Sequence, residues 1–206
     1  MKLLLVLCLL APAVGAWASA PRSALEETAT EAAPLVTWEE LRGRSTRYIG
    51  RPVRLEMQFH SQLATWNPFL TRFGPATFRA FRFWSDEQFL WDEGAHASPA
   101  ARVFVRRGAL IEEVLGNAAV FRRFELRVIV RETFGGEPWA EVIAVTPLAE
   151  HVTEAGLIHA RRFVELCESG STRLAETECE RALAGSWPAK ARSELVRLRD
   201  ALHEPD

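Results

Sequence analysis

The sequence predicts a mainly β domain followed by an α-helical tail. Three observations carry this. Val53, Leu55, Met57 and Phe59 alternate with Arg54, Glu56, Gln58 and His60, the period of two that buries one face of a strand. Leu126, Val128 and Val130 repeat that alternation ahead of Gly135-Gly136, the chemistry of a two-residue hairpin turn. From Thr153 onward the apolar spacing becomes helical, with Leu157, Ala160, Phe163, Val164 and Cys167 on one stripe.

The elements follow in order. Thr37 precedes Trp38-Glu39-Glu40 as in a capping box, so a short helix starts there and ends near Gly43. Gly50-Arg51-Pro52 makes a turn into the first strand, Val53–His60. Ser61–Pro75 is irregular, with Asn67-Pro68 and Gly74-Pro75 as turn formers. Ala76–Trp84 is an aromatic-rich strand, and at least one of Phe78, Phe81, Phe83 and Trp84 is expected to project from it. Phe89–Trp91 reads as a short strand, Glu93–Pro99 as a loop and Arg102–Val105 as a further strand. Leu110–Leu115 is a short helix ending at Gly116-Asn117. Phe124–Phe134 and Pro138–Val145 form the hairpin. Ser169-Gly170-Ser171 and Gly185-Ser186-Trp187-Pro188 divide the tail into three helices, the third carrying Leu195, Leu198 and Leu202.

Ahead of all this, Lys2, the apolar run Leu3–Val14 and Ala16-Trp17-Ala18 have the layout of a secretory signal peptide. Cleavage after Ala18 is expected, because a cut after Ala20 would leave Pro21 first. The alternative is an uncleaved N-terminal anchor. Cys8 lies within the apolar run behind Leu7, unlike a lipoprotein cysteine. The expected organisation is a signal over 1–18, a flexible Ala/Glu/Thr/Pro-rich linker over 19–36, the β domain over 37–148 and the helical tail over 149–206. The expected location is secreted or periplasmic, and no integral membrane span is expected after signal cleavage. Cys167 and Cys179 then become the two cysteines of the exported chain. An even count in an oxidising compartment suggests a disulfide between them, with two buried thiols as the alternative.

With 48% hydrophobic residues the chain has material for a core, and its net charge of −2 gives no global attraction to nucleic acid or anionic lipid. The β domain carries a net +2 and the tail −3. Lysine occurs only at Lys2 and Lys190, so positive charge is nearly all arginine. That suits planar anion contacts, and a GC-rich genome explains it equally.

Two segments carry a family likeness. Tyr48-Ile49-Gly50-Arg51-Pro52-Val53-Arg54-Leu55 resembles the first strand of an oligonucleotide/oligosaccharide-binding (OB) fold with its leading glycine turn. Phe124–Arg131, followed by Gly135-Gly136-Glu137-Pro138-Trp139-Ala140-Glu141-Val142, resembles the close of exported bacterial OB-like proteins of the tRNA-anticodon-binding type. Ile129 stands where such proteins often have a glycine bend. The resemblance covers roughly residues 38–148 and implies a small five-stranded β-barrel. The tail is similar to a single tetratricopeptide (TPR) unit with a capping helix, through Gly170, Ala175, Ala182 and Pro188, although Phe163 stands where a small residue is usual. An ordinary helical hairpin capping the barrel is the other reading.

The candidate ligand contacts are Trp66, Phe69, Arg72, Arg79, Arg82, Trp84 and Trp91, because an OB face binds its ligands with stacking aromatics and flanking cations. Trp66 and Phe69 lead, in the loop that corresponds to the first OB connection; a hydrophobic plug under that loop is their alternative role. Asp92, Glu93, His96 and His60 lack the spacing of a metal site, and no catalytic or cofactor motif (GxSxG, P-loop, GxGxxG, HExxH) is present. The expectation is therefore an exported non-catalytic binding module for a protein or glycan, without cofactor or metal. Single-stranded nucleic-acid binding is the second reading, disfavoured by the charge balance and the export signal. A hydrolase with a dispersed site is the third.

Overall fold

The computed structural model describes residues 33–66, 69 and 71–203. The expected signal peptide and most of the expected linker lie outside the described residues. Residues 33–36, the end of that linker, are held by the β domain. Arg54 N donates to Pro34 O at 2.9 Å and Val36 N to Arg54 O at 3.0 Å, and Ala33 and Val36 are buried.

Five strands close into a barrel in the order β1–β2–β3–β5–β4. They are β1 (Pro52–Leu63), β2 (Phe78–Ser85), β3 (Ala101–Arg106), β4 (Arg123–Phe134) and β5 (Glu137–Pro147). β1 pairs antiparallel with both β2 and β4, which requires a long, bent strand. A register shift between Phe59 and Ser61 supplies the bend. β4 curves without a glycine at Ile129, through irregularities at Arg127/Val128 and Val130/Glu132 on either side of it. Gly135 and Gly136 both have positive φ, 60° and 82°, as the tight hairpin turn demands. A short parallel pairing, Val103 with Ala140 and Phe104 with Glu141, closes the barrel between β3 and β5. The β domain is thus an OB-like barrel.

Alternation fills the interior with Leu55, Met57, Phe81, Phe83, Val103 and Leu126, among others. Two helices precede β1. α1 (Trp38–Gly43) starts at Thr37, whose Oγ1 accepts from Glu40 N at 3.0 Å, and buries Trp38 and Leu41. The Glu40 carboxylate accepts from the Tyr48 hydroxyl at 2.7 Å, on α2 (Ser45–Tyr48). The expected strand at Phe89–Trp91 and the loop after it are corrected. Residues 89–91 form a turn, and α3 (Glu93–Ala97) follows, capped by Asp92 Oδ1 accepting from Ala95 N at 2.6 Å. Leu90 and Trp91 are committed to the packing described below and have no strand partner. α4 (Leu110–Gly116) then covers one end of the barrel with Leu115, which is fully buried.

The tail comprises α5 (Glu154–Glu168), α6 (Thr172–Leu183) and α7 (Ala189–Ala201). Gly170, at φ 73°, ends α5 as Ser171 N closes back on Leu166 O at 2.9 Å. Phe163 packs against the facing small residues Ala175, Cys179 and Ala182 in one cluster that also takes in Trp84, Leu90 and Trp91 of the β domain. Trp91 meets Trp187 edge-on at 5.7 Å, and Trp187 Nε1 donates to Ala182 O at 2.7 Å. The tail therefore caps the outside of the barrel.

The expected disulfide is not formed; Cys167 and Cys179 are free thiols. His159 on α5 meets Glu178 on α6 at 2.7 Å, so Cys179 is level with that part of α5. Cys167 lies eight residues, about two turns, further along α5 than His159. Cys179 instead approaches Leu195 O on α7 at 3.7 Å, and burial pushes its thiol up to about 11.

Candidate functional site

The seven sequence candidates separate into four places. Trp84 and Trp91 are buried between barrel and tail, 1% and 9% exposed. Trp84 Nε1 donates to His96 O at 3.0 Å, and its ring stacks on Phe121 at 5.3 Å. Arg79 sits at the end of the barrel paired with Glu112 of α4. Arg72, in the β1–β2 loop, pairs with Glu132 at 3.4 Å. Phe69 in the same loop is 92% exposed. Trp66 is tied inward, its Nε1 donating to Phe73 O at 2.7 Å and its ring edge-on to Phe104 at 5.7 Å. Trp66 thus helps hold the loop down over a second, external layer of aromatics. That layer explains the density in β2. Phe81 and Phe83 fill the barrel, Phe78 lies under the loop and Trp84 under the tail, so all four are buried and none projects.

Arg82 lies elsewhere, in a cleft of about 390 Å³ between the outer faces of β2 and β3, the β4–β5 hairpin and α1. Register puts it there. Phe81, Phe83 and Val103 point inward, so the intervening Arg82, Arg102 and Phe104 point outward, and Arg82 is directly opposite Arg102. Phe73, Phe104 and Trp139 stack in series, with consecutive centroids at 4.2 Å and 5.1 Å and consecutive planes within 16° of each other. The Arg102 guanidinium lies over the Trp139 ring at 5.6 Å, a cation–π seat. Phe134, half-exposed, forms one rim, meeting Trp139 edge-on. Trp38 of α1 closes the far wall. Its indole N–H is buried without an acceptor among the described residues. Glu137 is the acid lining the cleft, and Arg42 of α1 holds it at 2.9 Å.

Arg102, Trp139, Phe134 and Trp38 were not singled out from the sequence. Arg102 and Trp139 meet because β3 pairs with β5, a long-range contact. The Pro138-Trp139 step after the glycine turn was the visible signal, since a tryptophan just past a hairpin is well placed to flank a barrel mouth.

Two other ionisable groups of side chains stand out. Arg123, nearly buried, binds Asp86 at 2.6 Å and also Glu56, with Glu150 at 3.6 Å. Burial raises the Asp86 carboxyl and Arg123 opposes it. Next to it, burial and a hydrogen bond to Glu39 of α1 raise Glu87 to about 7. His60 and His96 flank Trp84 at 4.6 Å and 5.3 Å, and burial depresses both imidazoles. Among the described residues, no three His, Cys, Asp or Glu side chains converge as metal ligands would. No helix is long and apolar enough to cross a membrane, also among the described residues.

No family model matches the chain, and neither a curated protein nor a solved structure was found to be similar to it.

Proposed function

We propose that this chain is an exported, non-catalytic binding module whose ligand sits in the Arg82–Arg102–Trp139 cleft. The observation that carries the reading is the position and content of that cleft. It opens on the face formed by β2, β3 and the β4–β5 hairpin, a surface OB barrels use for ligands. Its volume of about 390 Å³ suits a small group or one or two residues of a larger partner. Two arginines without a carboxylate partner among the described residues converge there with an aromatic wall, whereas Trp66 is engaged in holding its loop. The tail supports the reading as a cap that rigidifies the barrel from outside. The N-terminal signal-like segment supports export.

The test is capture on glycan and peptide arrays by the labelled mature chain. Ala100→Phe adds a ring to the lining of the cleft and is expected to abolish the captured spots. Phe69→Ala is expected to leave them. Spots retained by Ala100→Phe and lost with Phe69→Ala would move the site back to the β1–β2 loop.

A further inference from the structure

We propose that the ligand of this cleft presents an oxyanion, a carboxylate or a phosphate or sulfate ester, on a compact apolar or planar body, clamped between Arg82 and Arg102. This rests on the cleft reading above and adds the chemistry of its occupant.

Three observations on different residues agree. First, the two arginines inside the cleft lack the carboxylate partners that several other barrel arginines have. Arg79 pairs with Glu112, Arg106 and Arg131 share Glu141 at 3.2 and 2.8 Å, and Arg123 pairs with Asp86 and Glu56. Arg82 and Arg102 have no carboxylate partner among the described residues. Like charges directly opposite on an antiparallel pair are destabilising, so this pair costs the free fold stability. An anion between them replaces that repulsion with charge-assisted hydrogen bonds.

Second, Arg102 is positioned in advance. Trp139 holds one guanidinium face, and Trp139 is itself backed by Phe104 and Phe73. The N–H edge is left for a ligand, with less side-chain freedom to lose on binding. Third, the acid that lines the cleft is already occupied, since Glu137 is held by Arg42 at 2.9 Å, so the two arginines face no competing carboxylate among the described residues. A ligand that satisfies these groups is acceptor-rich and negative. The rest of the lining, Phe104, Phe134 and Pro138 among it, offers apolar surface and calls for an apolar body.

The experiment is a titration of the mature chain with 2-naphthoate, 2-naphthyl phosphate and the neutral 2-naphthalenemethanol, followed by tryptophan fluorescence. At least one anionic probe is expected to bind at least about tenfold tighter than the alcohol, the worth of one hydrogen bond to a charged group. Arg82→Gln and Arg102→Gln should each remove about tenfold from that preference, and the double variant should erase it. Unaltered far-UV circular dichroism will show that the variants fold. Equal binding of alcohol and anions, a preference that survives the double variant, or no binding of either anion up to its solubility overturns the proposal. If Ala100→Phe abolishes binding while the double variant does not alter the anion preference, the cleft stands and the oxyanion fails. If Ala100→Phe leaves all binding intact, both fail. The two anions distinguish a carboxylate from a phosphate ester.

Discussion

Raising the pH through neutrality should weaken this fold through one carboxyl pair. Glu87 follows β2 and hydrogen-bonds Glu39 on α1, whose Oε1 also accepts from Ser85 Oγ at 3.2 Å. Burial and that bond lift Glu87 from 4.5 to about 7, with Lys190 opposing. The folded state therefore holds a proton that the unfolded chain has released. Its stabilisation is complete below about pH 4.5 and is lost as pH rises through about 7. At about 1.4 kcal/mol per pH unit the ceiling is about 3 kcal/mol. Glu87 is only partly buried, so solvent screening reduces this to about 1–2 kcal/mol. Burial raises Asp86 too, which acts in the same direction. His60 and His96 act oppositely: burial lowers them, so their contribution is lost as pH falls below 6.5. Urea unfolding at pH 5, 6, 7 and 8, on wild type and Glu87→Gln, separates these effects, because both proteins share the histidines. The Gln amide donates to Glu39 without a titrating proton. The stability difference between the two proteins should therefore move by about 1–2 kcal/mol in favour of the variant from pH 5 to 8. Parallel curves would refute the shared proton.

Other substitutions test the packing directly. Arg82→Gln should stabilise the free protein by about 0.2–1 kcal/mol, read from urea midpoints, because it relieves the cross-strand repulsion. Trp139→Ala should cost about 3–5 kcal/mol, since the ring is nearly buried, stacked with Phe104 and in contact with the Arg102 guanidinium. Trp66→Ala should destabilise by about 2–3 kcal/mol and Phe69→Ala by less than about 0.5 kcal/mol, separating loop anchor from exposed tip. A thiol reagent should modify Cys179 only on unfolding and Cys167 faster, because Cys179 is fully buried and its thiol raised to about 11.

Local patterns carried much of the fold. Thr37 announces α1 because its hydroxyl answers a backbone N–H three residues away. The Gly135-Gly136 turn and the alternation on both sides dictate the hairpin, and the changed period after Thr153 gives the three tail helices. What was not legible is what covers the outside of the barrel. Alternation says that Phe78 and Trp84 leave the interior, but not that a loop and a helical tail bury them there. The same limit applies to the cleft. Arg82 was visible as one cation among aromatics, but its partner Arg102 and the Trp139 seat depend on barrel closure between β3 and β5. The cysteine count suggested a bond that is not formed, because a count carries no information on the geometry of the two thiols.

The most direct measurement is the set of tryptophan indole N–H signals in a ¹⁵N correlation spectrum during titration with 2-naphthoate and 2-naphthyl phosphate. Trp38 and Trp139 line the cleft, Trp66 anchors the β1–β2 loop, and Trp84, Trp91 and Trp187 lie at the barrel–tail contact. The account expects saturable shifts at Trp38 and Trp139, with the other four nearly still, and loss of those shifts in the Arg82→Gln/Arg102→Gln double variant. Shifts centred on Trp66, or at Trp84, Trp91 and Trp187 with Trp38 and Trp139 unmoved, would contradict it.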